Sequence, residues 1–145
     1  MSHEQTKRSI LFLCTGNSCR SHMGEGWLRK LAGVRATSLS AGAVPTGYVH
    51  PLAIDVMQEV GVDISSQRSN SILEFLADPP DLIITVCEQA AATCPVFPDR
   101  VKRITWAFDD PAKAEGNEEQ KLAEFRRVRD EIRDRIASTL DELLI

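Results

Sequence analysis

Two short stretches of the chain are almost wholly apolar, and each runs into a cysteine: Ser9-Ile-Leu-Phe-Leu13 before Cys14, and Asp81-Leu-Ile-Ile-Thr-Val86 before Cys87. Apolar runs of this length without alternation suit strands buried on both faces, as in a parallel sheet. A second strand is expected over residues 35–40, closed by Ala41-Gly42, and a fourth, weaker one over 101–106. Between the strands the period changes. Met23, Trp27, Leu28 and Leu31 recur at helical spacing over 21–31, and Pro51 and Gly61 bracket a helix over 51–60. Short helices are expected over 71–76, before the Pro79-Pro80 break, and over 88–93, which is rich in helix formers. From about 118 to 144, Leu122, Phe125, Val128, Ile132, Ile136, Leu140 and Leu143 form one amphipathic stripe. Strands alternating with helices predict an α/β fold: one doubly wound domain over 1–145, a four-stranded parallel sheet flanked by helices. Such folds bind ligands beyond the carboxyl ends of their strands, where Cys14 and Cys87 both fall.

Composition adds mainly exclusions. The 145 residues are 43% hydrophobic and 26% charged, ordinary for one globular domain. With 17 basic against 21 acidic residues there is no basic footprint, so nucleic acid is not an expected partner. The polar start, Met1 to Arg8, is followed by no long apolar run. No signal peptide or transmembrane span is expected, and a cytoplasmic monomer is. The four cysteines, at 14, 19, 87 and 94, contain no Cys-x-x-Cys, and histidines 3, 22 and 50 lie far from the later pair. A structural zinc site is not expected; buried or catalytic thiols are.

Cys14-Thr-Gly-Asn-Ser-Cys-Arg-Ser21 joins the first strand to the first helix. Gly16 and Asn17 tolerate the left-handed backbone that a tight anion cradle requires. Backbone N–H groups of such a loop (Thr15, Gly16, Asn17, Ser18, Cys19) converge on one point, and the following helix adds its positive end. Arg20 can grip two oxygens of a tetrahedral oxyanion with its planar fork. A thiolate at Cys14 is stabilised by the same donors and by the Ser21 hydroxyl. Further on, Asp109-Asp110-Pro111 offers a carboxylic acid at the loop mouth, able to protonate a leaving oxygen. Taken singly, each feature also has a plain reading, a core cysteine and an ordinary Asp-Pro turn.

Taken together, the chain resembles the low-molecular-weight protein tyrosine phosphatase fold and, within it, the thioredoxin-coupled arsenate reductases. The loop, Glu25-Gly-Trp27, Ser40-Ala-Gly42, Thr85-Val-Cys87, Cys94-Pro95, Trp106-Ala-Phe-Asp-Asp-Pro-Ala112 and Phe125-Arg-Arg-Val-Arg-Asp-Glu-Ile132 match in collinear order. The resemblance implies that Cys14 attacks arsenate held by the loop and Arg20 while Asp110 protonates the departing hydroxide. It further implies that Cys87 attacks Cys14, that Cys94 then attacks Cys87, and that thioredoxin reduces the Cys87–Cys94 disulfide. Phosphate and sulfate are expected competitors of arsenate, and no tightly bound cofactor is expected. Glutaredoxin or mycothiol stands as an alternative electron donor. Two other function classes remain open: a phosphatase of the same fold, and a non-catalytic thiol redox sensor. Aromatic substrate-stacking residues beside the Asp-Pro are missing here, where Ala112 and Lys113 follow Pro111 and the sole tyrosine is Tyr48.

Some members of the resembled family bind potassium. Asn17, Glu25 and Ser40 match three of those positions, and the fourth falls on the uncharged Asn70. Cys19 has no assigned step and reads as a small buried residue. His22 is expected to face solvent, His50 to start a helix, and Trp27 and Trp106 to lie in the core. The charges from Arg126 to Arg135 read as a solvated helix face.

Overall fold

The computed structural model describes residues 7–87, 90 and 94–145. Four parallel strands form one sheet in the order β2-β1-β3-β4: β1 Arg8–Cys14, β2 Ala36–Gly42, β3 Leu82–Thr85 and β4 Lys102–Thr105. β1 is central, and Ile10 to Leu13 are wholly buried, as its unalternated apolar run requires. Its register sets Cys14 beside Gly42 on one side and Leu13 beside Thr85 on the other. The carboxyl ends of β1, β2 and β3 therefore meet at one edge.

Helix α1 spans Arg20–Ala32, α2 Pro51–Glu59 and α3 Glu118–Leu143. α1 crosses β1 closely because position 24 lacks a side chain: a Cβ there would lie 2.6 Å from the Phe12 ring. His50 caps α2, its Nδ1 accepting from Leu52 N–H at 3.1 Å, with Pro51 at the first helical position. Asn117 and Gln120 form a reciprocal capping box that starts α3. Phe125, Val128, Ile132, Ile136 and Leu143 of the α3 stripe are buried, as are both tryptophans.

Three expectations need correction. Residues 71–76 form only a 3₁₀ turn, Ile72–Phe75, capped by Ser71; so short a segment does not offset the cost of nucleating an α-helix. Arg129 is not part of a solvated face. It follows the buried Val128 on the inward stripe, and its Nη1 donates to the Val56 carbonyl at 3.0 Å and to Glu59 Oε1 at 2.9 Å, tying α3 to α2. His22, described below, is fully buried. The helix expected over 88–93 lies, Ala90 apart, outside the described residues. Among the described residues no helix is long and apolar enough to cross a membrane.

Candidate active site

The segment 15–19 leaves β1 and turns directly into α1. Its shape follows from where its carbonyls go. The carbonyl of Cys14 accepts from Ala43 N–H at 3.2 Å, and those of Thr15, Gly16 and Ser18 accept from Val44, Thr46 and His50 at 2.8 Å each. The carbonyl of Asn17 accepts from the His22 ring at 3.0 Å. With five successive carbonyls held outward, the amide N–H groups of residues 15–19 donate to no group among the described residues. They form a cradle of donors at the N-terminus of α1, the arrangement that selects an oxyanion.

The sharpest point of the loop is Asn17, with φ +46°. A non-glycine residue in this region is strained and persists only where its surroundings hold it. Of the two residues that tolerate this backbone, Gly16 does not use it. Its lack of a side chain serves a close approach instead, since a Cβ would lie 3.1 Å from Thr46 Cγ2. Gly42 is more constrained. A Cβ there would lie 2.8 Å from the Asn17 nitrogen and 2.8 Å from the Thr15 carbonyl oxygen.

Cys14 lies buried beneath this loop, its Sγ 2.9 Å from Ser21 Oγ. The direction of that bond is fixed by its neighbours. Asn70 N–H donates to Asn17 Oδ1 at 2.5 Å, so the Asn17 amide must turn its Nδ2 toward Ser21 Oγ, 2.9 Å away. Ser21 accepts that bond and is left to donate its proton to the Cys14 sulfur.

Arg20 is held beside the loop by Nη1, which donates to the Phe108 carbonyl at 3.0 Å. Its Nε is buried and has no partner among the described residues, a donor left over for a ligand. Nη2 lies 3.6 Å from Asp110 Oδ2. Asp110 in turn caps the 3₁₀ turn Pro111–Lys113, its Oδ1 accepting from Ala112 N–H at 3.0 Å. Cys19 Sγ lies 3.5 Å from the same oxygen. Burial, then the charges of Asp110 and Cys14, push the Cys19 thiol up to about 12, so it stays protonated as a donor.

Cys87, buried just past β3, has its Sγ 3.4 Å from Thr15 Oγ1, at the rim of the same loop. Cys94 is half-buried; burial raises its pKa and the nearby Arg103 guanidinium partly offsets this. All four cysteines are free thiols. A buried thiol, a guanidinium, a carboxyl and a second thiol are thus gathered at one edge of the sheet from residues 14, 20, 110 and 87.

The residues matched to a potassium site lie together and are hydrogen-bonded to protein groups. Ser40 Oγ donates to Glu25 Oε1 at 2.5 Å, and Asn70 Nδ2 donates to the carbonyls of Ser40 and Arg68. Asn17 Oδ1 accepts from Asn70 N–H, and the His22 ring and Gln67 amide pack among these residues. Burial lowers the His22 pKa to about 4 and raises that of Glu25. Gln67 went unnoticed in the sequence because it belongs to no motif. His22 was misplaced because the first turn of a helix next to a loop has no periodic signal to orient it.

The low molecular weight phosphotyrosine protein phosphatase family matches residues 9–144. The chain is 52% identical over 130 residues to an arsenate reductase of Halalkalibacterium halodurans, covering 90% of this chain and 93% of the relative. It is 50% identical over 127 residues to an arsenate reductase of Bacillus subtilis, covering 88% and 91%. Among solved structures, an arsenate reductase in a phosphate-binding state superposes with a TM-score of 0.73 at 31% identity, over 94% of this chain and 98% of that one.

Proposed function

The chain belongs to the low-molecular-weight phosphotyrosine protein phosphatase family, within it to the arsenate reductases, and from that premise we propose the following catalytic cycle. Arsenate sits in the cradle of amides 15–19, gripped by Arg20. The Cys14 thiolate attacks arsenic and forms an S–As bond, while Asp110 donates a proton to the departing hydroxide, which leaves as water. Cys87 then attacks the Cys14 sulfur. The electron pair of the S–As bond passes to arsenic, arsenite leaves as As(III), and a Cys14–Cys87 disulfide remains. Cys94 attacks Cys87, returning Cys14 as a thiolate and leaving a Cys87–Cys94 disulfide. An external dithiol of the thioredoxin class supplies the two electrons that reopen it.

The observation that carries this reading is Cys87 at the loop. A phosphatase needs one thiol, whereas reduction by two electrons needs a second beside the first, and Cys87 Sγ stands 3.4 Å from Thr15 Oγ1. Cys19, protonated and bonded to Asp110, takes no step. Because the cradle, Cys14, Arg20 and Asp110 also suffice for phosphate esters, a weak phosphatase side activity accompanies the reductase.

The deciding experiment is arsenate-dependent NADPH oxidation with thioredoxin and thioredoxin reductase, run beside hydrolysis of p-nitrophenyl phosphate. Sustained arsenate-dependent oxidation in the wild type, and a single turnover in Cys94→Ser that stops as a Cys14–Cys87 disulfide, are expected. Brisk ester hydrolysis with no arsenate-dependent oxidation would assign the chain to the phosphatases instead.

A further inference from the structure

Five consecutive carbonyls of the oxyanion loop are turned outward, and four of them are held by backbone amides of residues 43–50. The fifth is different. Asn17, the strained left-handed residue, has its carbonyl held by a side chain, the imidazole of His22, which is wholly buried one helical turn further along.

The surroundings of that ring fix its tautomer. A carbonyl can only accept, so the 3.0 Å contact to Asn17 makes Nε2 the protonated nitrogen. Nδ1 must then accept, and it faces Gln67 Nε2 at 2.9 Å. The Gln67 amide is itself oriented: its Nε2 also donates to the His22 carbonyl at 3.1 Å, and its Oε1 accepts from Arg29 Nη2 at 2.6 Å. Ser40 Oγ, 3.4 Å from Nδ1, gives its proton to Glu25 instead. Every donor in this cluster meets an acceptor with the ring neutral and protonated on Nε2.

We propose that His22 is a positioning residue of the oxyanion loop: by donating Nε2–H to the Asn17 carbonyl it holds the left-handed turn that aims the loop amides inward and turns the Asn17 side chain onto Ser21. Through Ser21 the same strut reaches the nucleophile, because Asn17 Nδ2 donates to Ser21 Oγ and Ser21 donates to Cys14. The ring also joins the loop to Gln67 and lies 3.4 Å from Ser40 Oγ of β2. His22 touches neither substrate nor sulfur, so its effect passes through Asn17. The inference rests on the loop being the oxyanion site, but not on arsenate being the substrate.

Three measurements test it. Long-range proton–nitrogen NMR of the wild type should show His22 protonated on Nε2 alone at pH 7; a proton on Nδ1 would overturn the strut. Next, Gln reaches as far with an Nε2–H donor as His does, whereas Leu fills the space without one. His22→Leu should therefore weaken phosphate protection of Cys14 against iodoacetamide, and slow p-nitrophenyl phosphate turnover in the folded fraction, by about tenfold each, the scale of one lost buried hydrogen bond. His22→Gln should restore both to within about threefold of the wild type, a rescue that mere filling of space does not explain. Undiminished turnover and protection in folded His22→Leu, or a Gln variant no better than Leu, would overturn the proposal. A wild type that phosphate does not protect would overturn the site reading itself, an outcome distinct from failure of the strut.

Discussion

Ser21→Ala removes a hydroxyl that stands 2.9 Å from the Cys14 sulfur while leaving the helix intact. A hydrogen bond to a charged group contributes about 2 kcal/mol, so Cys14 alkylation near neutral pH should slow by about thirtyfold. Iodoacetamide kinetics measure this directly, and an unchanged rate would show that Ser21 does not support the thiolate. Gly42→Ala acts from the other side of the loop. Its new Cβ would press to 2.8 Å on the Thr15 and Asn17 backbone, where no side chain can yield. A loss of about 1–3 kcal/mol in thermal or urea unfolding, with weakened phosphate protection of Cys14, is expected. At this scale, the meeting of Cys14 and Arg20 was readable because a cradle pairs a thiol and a guanidinium across one loop, whereas Asp110 was tied to them by the family resemblance. His22 and Gln67 were not readable, because their roles depend on which neighbours the 60s segment brings to α1.

Between elements, the most telling contact is Arg129, whose guanidinium bridges α3 to the end of α2. Arg129→Met keeps the volume but strands the Val56 carbonyl and removes a partner of Glu59, a loss of about 1–3 kcal/mol in urea denaturation. Lys121→Met, exposed near the start of the same helix, should stay within about 0.5 kcal/mol. Equal effects of the two would mean that the bridge adds nothing beyond a surface charge. The helix stripe itself was legible, since its apolar residues recur with one period over 26 residues. A charged residue on the edge of that stripe was not, because the pattern of α3 alone cannot reveal that α2 packs there. β1 and β3 were legible for the opposite reason: strands buried on both faces need no pattern beyond continuity.

For the molecule as a whole, the buried histidine links stability to pH. His22 is neutral in the fold down to about 4, whereas the unfolded chain takes up its proton near 6.5. Its contribution is fully present above 6.5 and is lost as pH falls from there toward 4, about 3 kcal/mol in all. Glu59, held below the usual carboxylate range by Arg126 and then Arg129, loses its contribution in the same direction but at lower pH. Glu25, raised by burial, acts in the opposite sense. Urea midpoints should therefore fall between pH 6.5 and 4 in the wild type, and fall less steeply in His22→Gln. A midpoint independent of pH across that window would contradict the buried neutral ring.

The sheet order has one more consequence, for the chain as it is synthesised. β1 is made first yet lies in the middle, with β2 on one side and β3 on the other. When residues 1–75 have emerged, the cradle and its bracing segment 43–50 are already present, but the edge of β1 that awaits Leu82–Thr85 is open. That edge is a ready template for a strand from another nascent chain, and the Cys14 thiol beside it is without Cys87 until β3 follows. Between the synthesis of the two strands the nascent chain therefore carries an unpaired strand edge next to a free thiol.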